Sequence, residues 1–407
     1  MYYKRTLETA VHAASRKFPV ILVTGPRQAG KTTLLRHLCE AGRRYVTLDD
    51  LAVRALAQEG PSLFLERFPS PLLIDEIQYA PHLLPGIKMR VDSRRKGGAF
   101  WLTGSQQFQL MKGVSESLAG RVAILNLLGF SMREQMKRDA IALPFLPSHS
   151  ALAERAQSAS PVSVASIFRT IWRGSLPALA VGRGIDRDLF YNSYLQTYLQ
   201  RDVRDLAQVG DQAAFVRFLR ACAARTGQLL NYSDLARDVD VSVKTAQHWL
   251  SILVTSFQVA LLQPYHTNVT ARLVKTPKLY FLDTGLAAYL TEWASPETLA
   301  AGAMGGAIFE TFVFAEILKG WWNRMRVPPL YYYRDKDGKE IDLLFVHDRT
   351  LHPVEVKLGA TPRRDWVRHF SVLKTLKLPI GEGGVVCLCK ELLPLDEANS
   401  AIPAGFL

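Results

Sequence analysis

Residues 19–35, PVILVTGPRQAGKTTLL, hold three patterns in succession. Val20 to Val23 form a continuous apolar run, as expected of a strand buried on both faces. Gly25 and Gly30-Lys31-Thr32 follow at the spacing G-x-x-x-x-G-K-T, and KTTLLRHL continues as a helix. A strand that ends in this glycine spacing and opens a helix makes a phosphate cradle. Backbone N–H groups point at phosphate oxygens, and the helix N-terminus adds positive potential. The spacing assigns Gly25, Pro26, Arg27, Gln28, Ala29, Gly30, Lys31, Thr32 and Thr33 to nucleotide binding. Lys31 is expected to reach the β- and γ-phosphates of ATP, and Thr32 to place its hydroxyl on Mg2+.

Working outward, SPLLIDEI (70–77) is a buried strand that ends in two acids. Asp75 is expected to hold Mg2+ there, and Glu76 to orient and deprotonate the attacking water. AFWLTGS (99–105) and RVAILNLLGF (121–130) are further apolar strands. Strands alternating with helices predict a parallel α/β sheet covered on both faces, over residues 1–140. The polar end of the third strand offers Ser105 or Gln106 as a sensor of the γ-phosphate. Arg121, on the turn after SESLAG, is either a surface arginine or one that reaches the nucleotide of a neighbouring subunit.

The whole chain has 407 residues and a formal net charge of +13. No apolar run approaches the ~20 residues of a membrane helix, and the N-terminus lacks a secretory pattern. A cytoplasmic protein with no membrane partner is expected. Four cysteines fit buried thiols, since C-x-C at Cys387 and Cys389 is a poor metal site. Residues 1–140 carry 21 Lys and Arg against 12 Asp and Glu. Such a surplus suits a polyanionic partner such as DNA, or simply solubility. Its densest cluster, RVDSRRK, supplies Arg90, Arg94, Arg95 and Lys96 as candidate DNA contacts.

Residues 141–210 read as a linker, rich in Ala, Ser and Pro over 141–165, followed by a helical extension. Residues 211–295 have a helix-turn-helix shape. Leu235, Ala236, Val239 and Val241 are expected inside, and SVKTAQHWLSIL (242–253) is expected as the second helix with Ser242 as its N-cap. VALLQPY and KLYFLD are expected as the strands of a wing. Lys244 and His248 on the exposed face are candidate DNA contacts. A segment used only for packing or assembly is the alternative.

The phosphate loop, LLIDEI, LTGSQQF and SLAGRV, in this order, resemble the AAA-type ATPases of bacteria and archaea that carry a C-terminal domain of unknown function with a restriction-nuclease-like core. The resemblance runs through most of the chain. GSLPAL (174–179) stands where such proteins tend to have Gly-Gly-aromatic-Pro, so Ser175 and Leu176 depart from the pattern. YLQTYLQRDVRDL is similar to a Tyr-rich helix that ends in Arg-Asp, here Arg201 and Asp202. The resemblance implies that Arg121 acts across a subunit interface, within a homo-oligomeric ring.

Residues 300–407 resemble the PD-(D/E)xK nuclease core, which needs an acid on one strand, Glu-x-Lys on the next, and often a helix Glu. KEIDLLFVHDRTLHPVEVK (339–357) supplies Asp342, Glu355 and Lys357 across a hairpin closed by HDRT. Period-2 alternation puts Glu355 and Lys357 on one face. Glu310 is the helix candidate. Glu310, Asp342 and Glu355 would hold Mg2+, and Lys357 would orient the nucleophile. A salt-bridged strand pair without catalysis is the alternative.

The fold class expected is therefore α/β. A P-loop AAA-type ATPase domain with a helical extension precedes a winged-helix-like middle segment and a restriction-endonuclease-like C-terminal domain. The function expected is ATP binding and hydrolysis coupled to action on duplex or branched DNA. The rivals are a nucleotide-controlled assembly switch and an ATP-regulated, Mg2+-dependent nuclease.

Overall fold

Alternate apolar residues of the first strand turn to opposite faces, and helices cover both. In the computed structural model, which describes residues 2–94, 96–104, 113–114, 116–138, 143–158, 161–182, 184–198, 211–266 and 276–407, β1 (Val20–Thr24) is wholly buried. Val20 and Leu22 pack with Phe64, Ile87 and Phe100. Ile21 and Val23 pack on the other side with Leu7, Val11, Leu34 and Trp101. The helices of these layers are α1 (Leu7–Lys17), α2 (Lys31–Leu38), α3 (Leu51–Glu59), α4 (Pro61–Arg67) and α5 (Leu83–Ser93).

The remaining strands are β2 (Arg44–Thr47), β3 (Leu72–Asp75), β4 (Phe100–Gly104) and β5 (Val122–Asn126), and every pairing is parallel. Among the described residues the sheet order is β2-β3-β4-β1-β5. Parallel strands place all carboxyl ends on one edge, where ligands bind in open α/β sheets. The loop after Thr24 and the acids after Ile74 therefore share that edge, with only β4 between their strands.

By its contacts the chain divides into two units. The first is Met1–Gly129 with Thr255–Phe257 and Trp322–Arg326; the second is Phe130–Val254, Gln258–Trp321 and Val327–Leu407. The continuous part of the first unit ends at Gly129. Phe130 onward belongs to the second unit because α6 (Met132–Gln135) is tied there: the Met132 N–H donates to Glu316 Oε2 at 2.9 Å.

The reading of 141–165 as a linker is corrected in its described part. His149–Ser158 is a helix, α7, with Ala151, Leu152 and Arg155 buried. Arg155 donates to the Phe406 carbonyl at 2.7 Å, which ties this helix to the chain end. Alanine-rich sequence reads as linker until a partner surface covers one face.

Next come α8 (Val164–Arg173) and α9 (Arg187–Tyr198). Ser175 between them donates from both its N–H (2.7 Å) and its hydroxyl (2.8 Å) to Asp283, which also accepts from Tyr191. The serine in GSLPAL thus supplies a hydroxyl that glycine lacks.

The middle segment runs α10 (Gln212–Ala224), β6 (Gln228–Leu229), α11 (Tyr232–Asp238), α12 (Val243–Thr255), β7 (Val259–Leu262) and β8 (Lys278–Phe281). Its sheet has the order β6-β8-β7 and is antiparallel. Ser242 accepts from the Thr245 N–H at 3.0 Å, as an N-cap does. Two further helices are α13 (Thr284–Leu290) and α14 (Gly305–Trp322). Helix α14 is apolar almost all round and buried along nearly its whole length.

A mixed sheet completes the second unit: β9 (Leu330–Arg334), β10 (Glu340–His347), β11 (Thr350–Lys357), β12 (Gly383–Cys387), β13 (Leu393–Pro394) and β14 (Asn399–Pro403). Its order among the described residues is β13-β14-β12-β11-β10-β9. The β10–β11 hairpin closes between His347 and Thr350, with Asp348 and Arg349 both at positive φ, the geometry of a primed two-residue turn.

Candidate functional site

At the carboxyl edge of the first sheet, the loop Gly25–Gly30 lies against the segment after β5. Gly25 has φ 151°, and a Cβ there would stand 2.0 Å from the Leu127 carbonyl oxygen, so the chain can pass only as glycine. Gly30 is left-handed at φ 90° and immediately precedes α2, so the first N–H groups of that helix face the loop. Lys31 is 6% exposed and donates to the carbonyls of Gly25 (3.0 Å) and Pro26 (2.8 Å). Its ammonium is therefore folded back over the loop that would cradle phosphate.

Asp75 is 4% exposed and accepts three side-chain bonds. They come from Thr32 (Oγ1 to Oδ1, 2.7 Å), Tyr45 (3.1 Å) and Thr103. The Thr32 bond joins the P-loop helix to the acid strand, bringing together the two ligands that the sequence assigns to Mg2+. A hydroxyl beside a buried carboxylate, a lysine and a glycine cradle fit a magnesium-bound triphosphate. Bound there, the metal would neutralise phosphate charge. Glu76 sits left-handed at φ 59°, its N–H bonded to Thr103 Oγ1 (3.1 Å) and its carboxylate to Gln78. A non-glycine residue in that region is strained, and such strain gathers at functional sites.

Arg5, missed in the sequence, clasps the loop from behind. Its buried guanidinium donates to the carbonyls of Ala29 (3.1 Å), Leu128 (2.7 Å) and Gly129 (3.2 Å). Nothing in MYYKR marks it, because these acceptors are backbone carbonyls. Thr103 and Tyr45 were missed too. Thr103 had a signal, a hydroxyl beside the polar end of WLTGS.

Arg121 lies at the opposite edge. Val20 pairs with Val122, and Thr24 with Asn126. About 13 Å of strand therefore separates Arg121 from the loop after Thr24. It holds Asp92 through two bonds, at 2.6 and 3.0 Å. Arg90 is part-buried; Arg94 and Lys96 are exposed, near the C-terminal end of α5. Ser105, Gln106, Arg95, Arg201 and Asp202 lie outside the described residues. In the second unit, Lys244 and His248 are exposed on α12.

The C-terminal candidates do converge, but around a lysine that sequence reading missed. Lys278, at the head of β8 and 3% exposed, meets Glu310 (3.1 Å), Glu340 (2.6 Å) and Asp342 (3.8 Å). Tyr280 donates to Glu310 at 2.6 Å. Lys357 meets Glu355 and, at 3.7 Å, Asp342. Asp342 Oδ2 also accepts from the Val356 N–H at 2.9 Å. The β9–β10 register shifts between Ile341 and Leu344, so Asp342 sits on a bulge, a device that re-aims side chains.

Among the described residues, no group of three or more His, Cys, Asp or Glu is arranged as a ready metal site. Two ammoniums, Lys278 and Lys357, stand among the acids expected to hold Mg2+. Glu355 Oε1 is nevertheless buried with no hydrogen-bond partner. Burial, then the Asp342 charge, push Glu310 up to about 7 and Glu355 up to about 8. Burial alone would depress Lys278, but the Glu310, Asp342 and Glu340 carboxylates reverse this and raise it. The four cysteines are free thiols, and Cys222, Cys387 and Cys389 are buried. No described helix is long and apolar enough to cross a membrane.

The chain matches three family models: an AAA domain over residues 17–136, and domains of unknown function, DUF8612 over 164–297 and DUF4143 over 305–407. It is similar to the uncharacterised proteins Rv2008c of Mycobacterium tuberculosis and Mb2031c of Mycobacterium bovis. Each is 28% identical over 408 residues, which cover 98% of this chain and 83% of the relative. Among solved structures it is similar to the Walker-type ATPase PABY2304 of Pyrococcus abyssi. There the TM-score is 0.45 at 15% identity, covering 71% of this chain and 96% of that one. With the loop, the lysine and the paired acids in place, residues 17–136, which match the AAA domain model, have an AAA-type ATPase-like fold.

Proposed function

We propose that the chain hydrolyses ATP as an oligomer and uses the cycle to act on DNA. The observation that carries the ATP chemistry is the Thr32–Asp75 bond, which sets loop and acid strand in the register a magnesium nucleotide needs. In this reading Lys31 leaves its two carbonyls for phosphate oxygens, and Glu76 takes the proton of the attacking water. Arg121 stands at the edge of the sheet opposite its own P-loop, which supports a role at the nucleotide of a neighbouring subunit.

DNA action is supported by two features, one in each unit. The order helix, strand, helix, helix, strand, strand, with sheet order β6-β8-β7, supports a winged-helix reading. Its second helix leaves Lys244, Gln247 and His248 exposed. In the first unit, Arg16, Lys17, Arg44, Arg67, Arg94 and Lys96 are exposed along the amino edge of the sheet. Several of them also suit the helix C-termini on which they sit.

The test is ATP turnover with and without single-stranded, duplex, forked and four-way DNA. Stimulation by one class, reduced in Lys244→Ala and in Arg94→Ala, is the expected result. Turnover indifferent to every DNA, with no binding, would leave the second reading. That reading is a nucleotide-controlled switch with a silent nuclease-like module, and the internal neutralisation of the acids by Lys278 favours it.

A further inference from the structure

The C-terminal cluster gathers four carboxylates, Glu310, Glu340, Asp342 and Glu355, from one helix and two strands. Two ammoniums face them. Lys357 shares β11 with Glu355, its chain neighbour but one. Lys278 is different: it comes from β8 in the middle segment, and its nitrogen contacts three acids at 2.6–3.8 Å. It approaches the Tyr332 ring at 5.7 Å. A divalent ion placed among Glu310, Glu340 and Asp342 would need the space and the charge that this nitrogen now uses. Glu355 Oε1, buried and without a hydrogen-bond partner, shows that the cluster still has an acceptor to offer.

We propose that Lys278 is a tethered cation that competes with divalent metal for the C-terminal acid cluster and keeps the cluster closed to it. The inference rests on reading these acids as a metal site. A primary ammonium cannot activate water as a metal does. A cluster filled by Lys278 therefore keeps its fold while its hydrolytic chemistry is withheld.

The experiment uses the full chain carrying Asp75→Asn, which silences the metal ligand of the P-loop. Mn2+ alone is titrated by calorimetry, with melting temperature followed in parallel. The parent should bind Mn2+ weakly. Lys278→Gln should bind it at least about tenfold more tightly and should gain more melting temperature from Mn2+ than the parent. Lys278→Arg, which keeps the cation, should behave as the parent. Adding Asp342→Asn to Lys278→Gln should remove the gain. A second neutral variant, Lys278→Met, guards against a fold-specific failure of the first. If folded Lys278→Gln and Lys278→Met bind Mn2+ no better than a parent whose binding Asp342→Asn weakens, the metal site stands and the competing lysine is refuted. If no variant binds Mn2+, the metal reading falls and the inference falls with it.

Discussion

Lys31 and Lys278 are both buried lysines at the heads of secondary structure elements, and they are held in opposite ways. Lys31 rests on two neutral carbonyls of its own loop. Lys278 rests on three carboxylates from two other elements. Hydrogen bonds from a charged group to neutral acceptors contribute about 1.5–3 kcal/mol, and an incoming phosphate replaces them with something stronger. A buried ammonium among carboxylates has no better partner to go to. The first lysine is placed to be given away to a ligand, and the second to stay.

Removing each ammonium should separate the two cases most sharply. Lys278→Met should destabilise the folded chain by about 3–5 kcal/mol, because carboxylates are left buried and uncompensated. Lys31→Ala should cost less stability, about 1.5–3 kcal/mol, while weakening ATP binding. Denaturant unfolding and nucleotide titration of both variants check this. Equal stability losses would break the comparison.

The chemistry of the first site should respond next. Glu76→Gln should still bind ATP but turn it over at least ~10²-fold more slowly, as expected for loss of a general base. Normal turnover by the Gln variant would remove Glu76 from the mechanism. Gly25→Ala should cost about 1–3 kcal/mol of stability together with nucleotide affinity, since its Cβ meets the Leu127 carbonyl; a melt with and without ATP reads both.

The acids of the second site predict a pH dependence of stability. Glu310 and Glu355 titrate at about 7 and about 8 in the fold, above their ordinary value of 4.5. The folded state therefore binds more protons than the unfolded state between these values. The contribution of these two groups is full below about 4.5 and is lost as pH rises through 7 to 8. Stability measured from pH 5 to 8.5 should fall less steeply in a Glu310→Gln, Glu355→Gln variant; an unchanged slope would remove these groups as its source.

The smallest effect on folding should come from Arg121→Ala, which breaks an exposed pair with Asp92. Its effect on turnover should exceed its effect on stability if the arginine serves a neighbouring subunit. Mixing Arg121→Ala with Lys31→Ala subunits should then restore part of the hydrolysis. Mixtures that exchange subunits yet stay inactive would make Arg121 a surface residue.

Much of the first site was legible because its chemistry is local. A cradle needs glycines at fixed spacing before a helix, and a costly acid pair at the end of an apolar strand announces itself. The β10–β11 hairpin was legible for the same reason, since two-residue alternation brings Glu355 and Lys357 to one face. Long-range partners carry no such mark. The Arg5 guanidinium bonds backbone carbonyls 24 to 124 residues away. Lys278 opens an apolar strand as any edge lysine might. The bulge under Asp342 exists only once β9 and β10 pair. The sequence by itself therefore determined which residues could hold phosphate and which acids could gather. The tertiary structure decided what stands among those acids, because only packing brings a strand from the middle segment against the helix and hairpin that carry them, and burial forces their charges to be met by whatever cation that packing supplies.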